Sequence, residues 1–140
     1  MSRKLNNLVV LEGKFKLVGL NQIADGGVSR PVVTFNVCTE DEQSGGYHNV
    51  IAYDRMAEEI FATSRAFHEL TESGRVIPDP IAGELLDVSV RGWLRSKDKS
   101  AFVVAEFVRF HTYSVVREYA THLMNQRSQK TELMENANSQ

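Results

Sequence analysis

Residues 47–53 read Tyr-His-Asn-Val-Ile-Ala-Tyr, an aromatic and β-branched run typical of a β-strand. Because side chains alternate between the faces of a strand, Tyr47 and Tyr53 share one face, about 20 Å apart, and Val50 and Ala52 share the other. The second face suits a core. The first suits the stacking of nucleobases, because every base has a π-face. Both tyrosines are also consistent with ordinary half-buried strand residues. The choice between these two interpretations depends on the rest of the sequence.

The composition is that of one soluble globular domain. The chain has 140 residues, 42% hydrophobic and 24% charged, which is enough apolar material for a core and too short for two ordinary domains. No apolar run approaches the ~20 residues that span a bilayer, and the N-terminus lacks the apolar core of a signal peptide. The single cysteine, Cys38, excludes an internal disulfide. These features predict a cytoplasmic protein.

The sequence predicts no catalytic chemistry, no metal site and no cofactor. It contains no phosphate loop and no nucleophile elbow. The histidines have no ligand-like spacing to each other or to Cys38; they are His48, His68, His111 and His122. A net charge of −2 argues weakly against a protein that binds nucleic acid through its overall charge, but it allows a local basic groove. The prediction is therefore a non-enzymatic protein.

The first half of the chain predicts a three-stranded antiparallel meander. Its strands are residues 8–19, 32–39 and 47–53. The segment 21–30 contains Asp-Gly-Gly and predicts a loop, and the acidic segment 40–46 ends in Gly-Gly and predicts a flexible hairpin loop.

The first strand contains one glycine and two lysines of interest. Gly13 predicts a bend or bulge, which a long strand needs when it serves both halves of a small barrel. Lys14 and Lys16 fall on the face opposite Phe15. They are either solvated side chains or phosphate contacts.

A change to helical periodicity predicts a helix at 54–70. Asp54 is the expected N-cap, and Ser73 with Gly74 the expected stop. One apolar stripe repeats every three or four residues; it consists of Met56, Ile60, Thr63, Phe67 and Leu70. This helix is expected to close one end of the sheet. Two prolines then make the segment 75–83 irregular.

The fourth predicted strand, 84–95, has an apolar face and a polar face. The polar face places Trp93 between Arg91 and Arg95. Tryptophan and arginine stack on bases, and arginine also pairs with phosphate. Alternatively, Trp93 packs against a neighbouring loop or subunit.

The remainder of the chain predicts a charged turn at 96–100 and a fifth strand at 101–111. This strand is apolar on both faces, which is typical of a central strand or an oligomer interface. A helix is predicted at 114–126, docked on the domain or on a partner chain, and a disordered polar tail at 127–140. The predicted division is therefore a domain at 1–113, then the helix and the tail.

The order of three strands, a helix and two strands matches the OB fold, an all-β five-stranded Greek-key barrel with a helix between strands three and four, here with an added C-terminal helix.

The sequence also resembles the bacterial-type single-stranded DNA-binding protein (SSB) family from about residue 5 to 110. The resemblance rests on four segments: Asn-Leu-Val-Val-Leu-Glu-Gly at 7–13, Val-Thr-Phe-Asn-Val-Cys-Thr at 33–39, Tyr-His-Asn-Val-Ile-Ala-Tyr-Asp-Arg-Met-Ala-Glu at 47–58, and Val-Arg-Gly-Trp-Leu-Arg at 90–95.

The resemblance implies roles for individual residues. Tyr47 and Tyr53 match the base-stacking aromatics of the family, Phe102 falls near another, and His48 matches a position implicated in subunit association. Two loops that often carry aromatics in the family are acidic or charged here, and the acidic, Phe-terminated tip is missing. These departures indicate a divergent member, such as one encoded by a mobile element.

The predicted function is sequence-independent binding and protection of single-stranded DNA in replication, recombination or repair. The predicted protein is a nucleoid-associated homo-oligomer, dimer or tetramer. Bases would stack on Tyr47, Tyr53, Trp93 and Phe102, and phosphates would contact Lys14, Lys16, Arg91 and Arg95. One alternative is a replication-restart or primosome accessory OB protein that binds DNA weakly and mainly bridges other proteins; another is an OB module that binds only protein.

Overall fold

The computed structural model describes residues 7–39, 46–77 and 86–138, with the side chains of residues 25 and 127–138 excepted. Five strands and two helices follow one another along the chain. They are β1 (Leu8–Asp25), β2 (Val28–Cys38), β3 (Tyr47–Tyr53), α1 (Asp54–Glu72), β4 (Asp87–Lys97), β5 (Ser100–His111) and α2 (Ser114–Asn138). The predicted loop at 40–46 (but for Gly46) and residues 78–83 of the predicted irregular segment lie outside the described residues.

The strands close into a barrel in the order β1-β2-β3-β5-β4. All neighbours pair antiparallel except β3 and β5, which pair parallel. The paired residues can be followed once around the barrel, from Leu8 of β1 through Trp93, Val104, Ile51 and Thr34. The path returns to β1 at Gly19 rather than at Leu8, and this displacement along the strand is the stagger that a closed barrel requires. This arrangement, with α1 between β3 and β4, is consistent with the predicted OB barrel.

The first hairpin is longer than predicted. The predicted loop at 21–30 is wrong, because β1 and β2 continue to pair as far as Asp25 and Val28. Gly26 and Gly27 have φ of 59° and 83° and form a two-residue turn, in which positive φ at both positions matches the twist of the strands. The Asp-Gly-Gly signal therefore marks a tight turn rather than a loop.

Two glycines lie where strands approach each other closely. A Cβ on Gly13 would lie 2.2 Å from the carbonyl oxygen of Cys38, and one on Gly92 would lie 2.1 Å from that of Val104. The shift in β1 pairing falls between Leu17 and Gly19, so the predicted bend at Gly13 is a close approach and the irregularity lies further along.

The core fills the barrel and continues under α1. Phe15 belongs to this core, and its ring centroid lies 5.0 Å from that of Phe35 and 5.1 Å from that of Phe110. Ala57 and Ile60 of α1 are buried in the same cluster, which confirms that the helix covers the sheet. The predicted N-cap at Asp54 is wrong, because the cap residue is Tyr53 and no side chain caps the helix.

A bulge explains why β5 is apolar on both faces. Its pairing with β4 shifts between Arg91 and Gly92, which leaves Glu106 without a partner. Val103 is buried before the bulge, and Val108 packs against the core after it. The residues of β5 that face the core therefore have odd numbers before the bulge and even numbers after it.

Helix α2 packs on α1 and extends beyond its predicted end. Val116, Ala120 and Leu123 are buried against α1 residues in a second apolar cluster. The predicted end at Gln126 is wrong, because the backbone is helical to Asn138. Eight of the twelve residues 127–138 are Arg, Gln, Lys, Glu, Leu, Met or Ala, which favour helix even where their pattern is polar.

Candidate nucleic-acid interface

The outward surface of β1, β2 and β3 carries the two tyrosines of the segment 47–53. Tyr47 is 62% exposed and Tyr53 is half-buried, whereas Val50 and Ala52 on the opposite face are fully buried. The predicted alternation is therefore confirmed. We call the surface of Tyr47, Tyr53 and their neighbours on β1 and β2 the tyrosine face.

Tyr47 lies beside a lysine. The Nζ atom of Lys16 is 5.8 Å from the Tyr47 ring centroid, within the range of a cation–π contact. Lys14 instead pairs across the strands with Asp87, with 2.7 Å between Nζ and Oδ1. Of the two predicted phosphate contacts, the structure brings Lys16 to an aromatic ring and gives Lys14 an internal counterion.

Tyr53 lies beside an arginine that the sequence analysis did not select. The guanidinium carbon of Arg30 is 5.4 Å from the Tyr53 ring centroid. The same guanidinium donates from Nε and Nη2 to the two carboxylate oxygens of Asp54, at 2.9 and 2.8 Å. These hydrogen bonds hold the pKa of the Asp54 carboxyl below its usual value. The sequence predicts a loop at Arg30 and therefore no role for it, whereas β2 begins before it.

The second group of aromatics lies on β4 and β5. Trp93 is half-buried between Leu8 of β1 and Val104 of β5. Arg91 pairs with Phe107, and its guanidinium carbon is 5.4 Å from the Phe107 ring centroid. We call this surface, defined by Arg91, Trp93 and Phe107, the tryptophan face.

Phe107 is 48% exposed and was not predicted to face outward. Strict alternation from the buried Val103 would turn it toward the core, and the bulge at Glu106 reverses this. A sequence signal for this reversal does exist, since apolar residues occur at both odd and even positions of the strand. That pattern alone does not show at which residue of the strand the bulge lies.

Phe102 lies between the two faces. It is half-buried, pairs with the exposed Arg95 of β4, and directly precedes Val103, which pairs with Val50 of β3. Phe102 lies one position before the paired segment of β5, and Asn49, an exposed residue of the tyrosine face, lies one position before that of β3. The barrel thus places the predicted residues on two adjoining faces rather than on one, and Phe102 is at their junction.

His48 belongs to the inward set of β3 and is half-buried. Its Nε2 is 3.1 Å from the Thr39 hydroxyl oxygen, a hydrogen bond within the chain. Its place in an oligomer interface stays a prediction.

In the described ranges, no group of three or more His, Cys, Asp or Glu side chains is placed to hold a metal ion. No helix in the same part of the chain has the length and apolarity needed to cross a membrane.

No family model and no curated protein matches this sequence. Solved structures with a similar chain path include the SSB domain of a protein from Synechococcus sp., at 14% identity and a TM-score of 0.47, covering 77% of this chain and 99% of that one. They also include the dimeric N-terminal domain of PriB from Thermoanaerobacter tencongensis, at 17% identity and a TM-score of 0.41, covering 78% of this chain and 100% of that one.

Proposed function

We propose that this protein binds single-stranded DNA without sequence preference, as a non-enzymatic OB protein. One observation carries the proposal: three outward aromatic rings each have a cation within 6 Å. The pairs are Tyr47 with Lys16, Tyr53 with Arg30, and Phe107 with Arg91. A nucleotide presents a flat base next to a negatively charged phosphate, so each pair offers partners for both groups.

The mechanism follows from the energies of these contacts. Stacking on an aromatic side chain contributes about 1–3 kcal/mol per base and is tolerant of sequence, because all bases have a π-face. Phosphate contacts add a term that weakens as salt rises. Duplex DNA cannot use the rings in this way, because its bases are already stacked. Selectivity for single strands is the expected result.

The proposal extends to assembly and cellular role. We infer a homo-oligomer, because one barrel of this size offers few stacking positions, and a role in protecting single strands during replication, recombination or repair. The expected result in light scattering is a mass that is a multiple of 15.8 kDa; a monomeric mass with and without DNA would contradict the oligomer.

The test is a titration with fluorescently labelled oligo-dT at low and moderate salt, with a duplex of equal length as control. Anisotropy reports binding, and fluorescence of Trp93, the single tryptophan, reports on the tryptophan face. Binding of oligo-dT that weakens with salt and exceeds duplex binding supports the proposal. Absence of binding at low salt, or equal binding to the duplex, overturns it. Binding without a change in Trp93 fluorescence supports a strand on the tyrosine face.

A second candidate is an accessory protein of replication restart that binds DNA weakly and mainly bridges other proteins. The observation that favours it is the pairing of two basic residues on the tyrosine face with carboxylates, Lys14 with Asp87 and Arg30 with Asp54. Cations held in this way contribute less to phosphate binding. The same titration separates the candidates, because the accessory role predicts measurable binding at low salt alone.

A further inference from the structure

Asp54, at the junction of β3 and α1, has an unusual backbone conformation. Its φ is 59°, in the left-handed region that costs a non-glycine residue free energy. The side chain does not recover this cost by capping the helix, although aspartate at a helix start often does. Its two carboxylate oxygens are instead directed to Arg30.

The contact between Arg30 and Asp54 has the geometry of an arginine fork on an oxyanion. Nε and Nη2 donate in parallel to the two oxygens, which is also how arginine binds a phosphate group. The guanidinium lies beside the Tyr53 ring at the same time. The carboxylate of Asp54 therefore occupies donors that the phosphate of a base stacked on Tyr53 would use.

We propose that Asp54 is a built-in competitor of DNA phosphate for Arg30, so that strand binding at Tyr53 requires exchange of the carboxylate for a phosphate. This inference rests on the proposed function and deepens it, because it names a residue that limits affinity at one stacking position. Arg30 becomes the phosphate contact at Tyr53 and Asp54 the residue that holds it in the free protein.

Exposure of the pair makes the exchange feasible. The side chains of Arg30 and Asp54 are 35% and 54% exposed, and exposed ion pairs contribute little free energy because water screens them. Lys16, beside Tyr47, differs in this respect. Among the described residues, no carboxylate lies within ion-pair distance of its Nζ, which is 5.8 Å from the Tyr47 ring centroid.

The test is the variant Asp54→Asn, which keeps the side-chain shape and suits a left-handed position, since asparagine adopts it more readily than most residues. We expect about two- to fivefold tighter binding of oligo-dT, the range that release of an exposed ion pair allows. The slope of log affinity against log salt should stay close to that of the wild type, because both proteins make the same Arg30–phosphate contact once the strand is bound.

The matched control is Glu59→Gln. Glu59 also accepts a hydrogen bond from an arginine, Arg55, at 3.1 Å. Its substitution by Gln removes one negative charge from the same helix, at a position without an aromatic–cation pair. Its affinity and salt slope should equal those of the wild type. A second control is Asp54→Asn in an Arg30→Ala background, where the gain should disappear. Circular dichroism establishes that each variant is folded.

The outcomes separate the inference from the proposed function. If the wild type binds oligo-dT and Asp54→Asn gains no affinity, the inference alone is overturned. A gain that persists without Arg30 also overturns it, because the effect would then be general electrostatics. If neither protein binds at low salt, both the inference and the proposed function fall. If the variant binds and the wild type does not, the proposed function of the wild-type protein falls, while the competition by Asp54 is supported.

Discussion

The tyrosine face and the tryptophan face carry the same type of aromatic–cation pair, but they differ in what else surrounds it. On the tyrosine face, Arg30 is held by a carboxylate. On the tryptophan face, no carboxylate of the described chain is in ion-pair distance of Arg91, and exposed Leu8 and Val10 lie alongside. The first surface is polar with cations partly neutralised, and the second is apolar with an arginine available.

Aromatic–cation pairs alone therefore do not show which of the two surfaces binds the strand more tightly. A polar sheet with exposed rings suits a mobile, hydrated strand. An apolar sheet with exposed Leu8, Val10 and Phe107 suits either stacked bases or another protein surface. Variants on each face, compared under identical conditions, decide which surface supplies the binding free energy.

The largest effect is expected from Tyr47→Ala with Tyr53→Ala. Loss of two stacking platforms should cost about 2–6 kcal/mol of oligo-dT binding free energy, at about 1–3 kcal/mol per base. The measurement is anisotropy at low salt. Replacement of both residues by Phe is the control, since it keeps the rings and should keep most of the affinity. Unchanged affinity in the alanine variant would remove the tyrosine face from the site.

A smaller effect is expected from Phe107→Ala with Trp93→Phe, which removes one exposed ring and keeps an aromatic residue at the half-buried position. If bases also stack on the tryptophan face, the loss should be about 1–3 kcal/mol, for one base. Light scattering of the same variant tests the other use of this surface. A change in mass without a change in DNA affinity would assign the tryptophan face to protein contacts.

The smallest effect is on stability in acid, and it concerns the Arg30–Asp54 pair of the tyrosine face. The pKa of Asp54 is lower in the folded protein than its ordinary value of 3.8, because of the hydrogen bonds from Arg30. The ion pair therefore stabilises the fold above that value, and the contribution is lost as pH falls through the folded pKa. Urea unfolding from neutral pH to about pH 3 should show the stability difference between wild type and Asp54→Asn shrinking as the pH falls.

The control for this measurement is Glu69 in α1, whose pKa is also lowered, first by the hydrogen bond from the Tyr119 hydroxyl and then by Arg65. Asp54→Asn keeps this second pH-dependent contribution, so the variant should still lose stability in acid. A difference that is constant over the whole pH range would show that the ion pair does not contribute to stability.

Much of the fold was predictable because local patterns and the barrel agree. The alternation in residues 47–53 and the helical stripe after Asp54 both follow from which side chains the core has to bury. The ends of the first hairpin were not predictable from composition, because the polar residues near Arg30 are held in strands by pairing with β1 rather than by their own propensity.

The site was less predictable than the fold, for reasons that concern particular residues. Phe107 turns outward because of a bulge beside Gly92, where two backbones approach each other more closely than any side chain allows. Arg30 and Asp54 are 24 positions apart and meet only when the barrel has formed. Contacts of this type depend on the pairing register of the strands, which cannot be read from a single sequence.

The parallel pairing of β3 with β5 has a dynamic consequence. These strands are joined through Val50 with Val103 and Ile51 with Val104, whereas β4 and β5 pair along their length from Asp87 to Lys97. Fewer backbone hydrogen bonds must break to separate the first pair, so we expect local opening of the barrel to begin there. Amide protons along this line should exchange with solvent earliest among the strands, and a bound strand crossing it near Phe102 should slow that exchange.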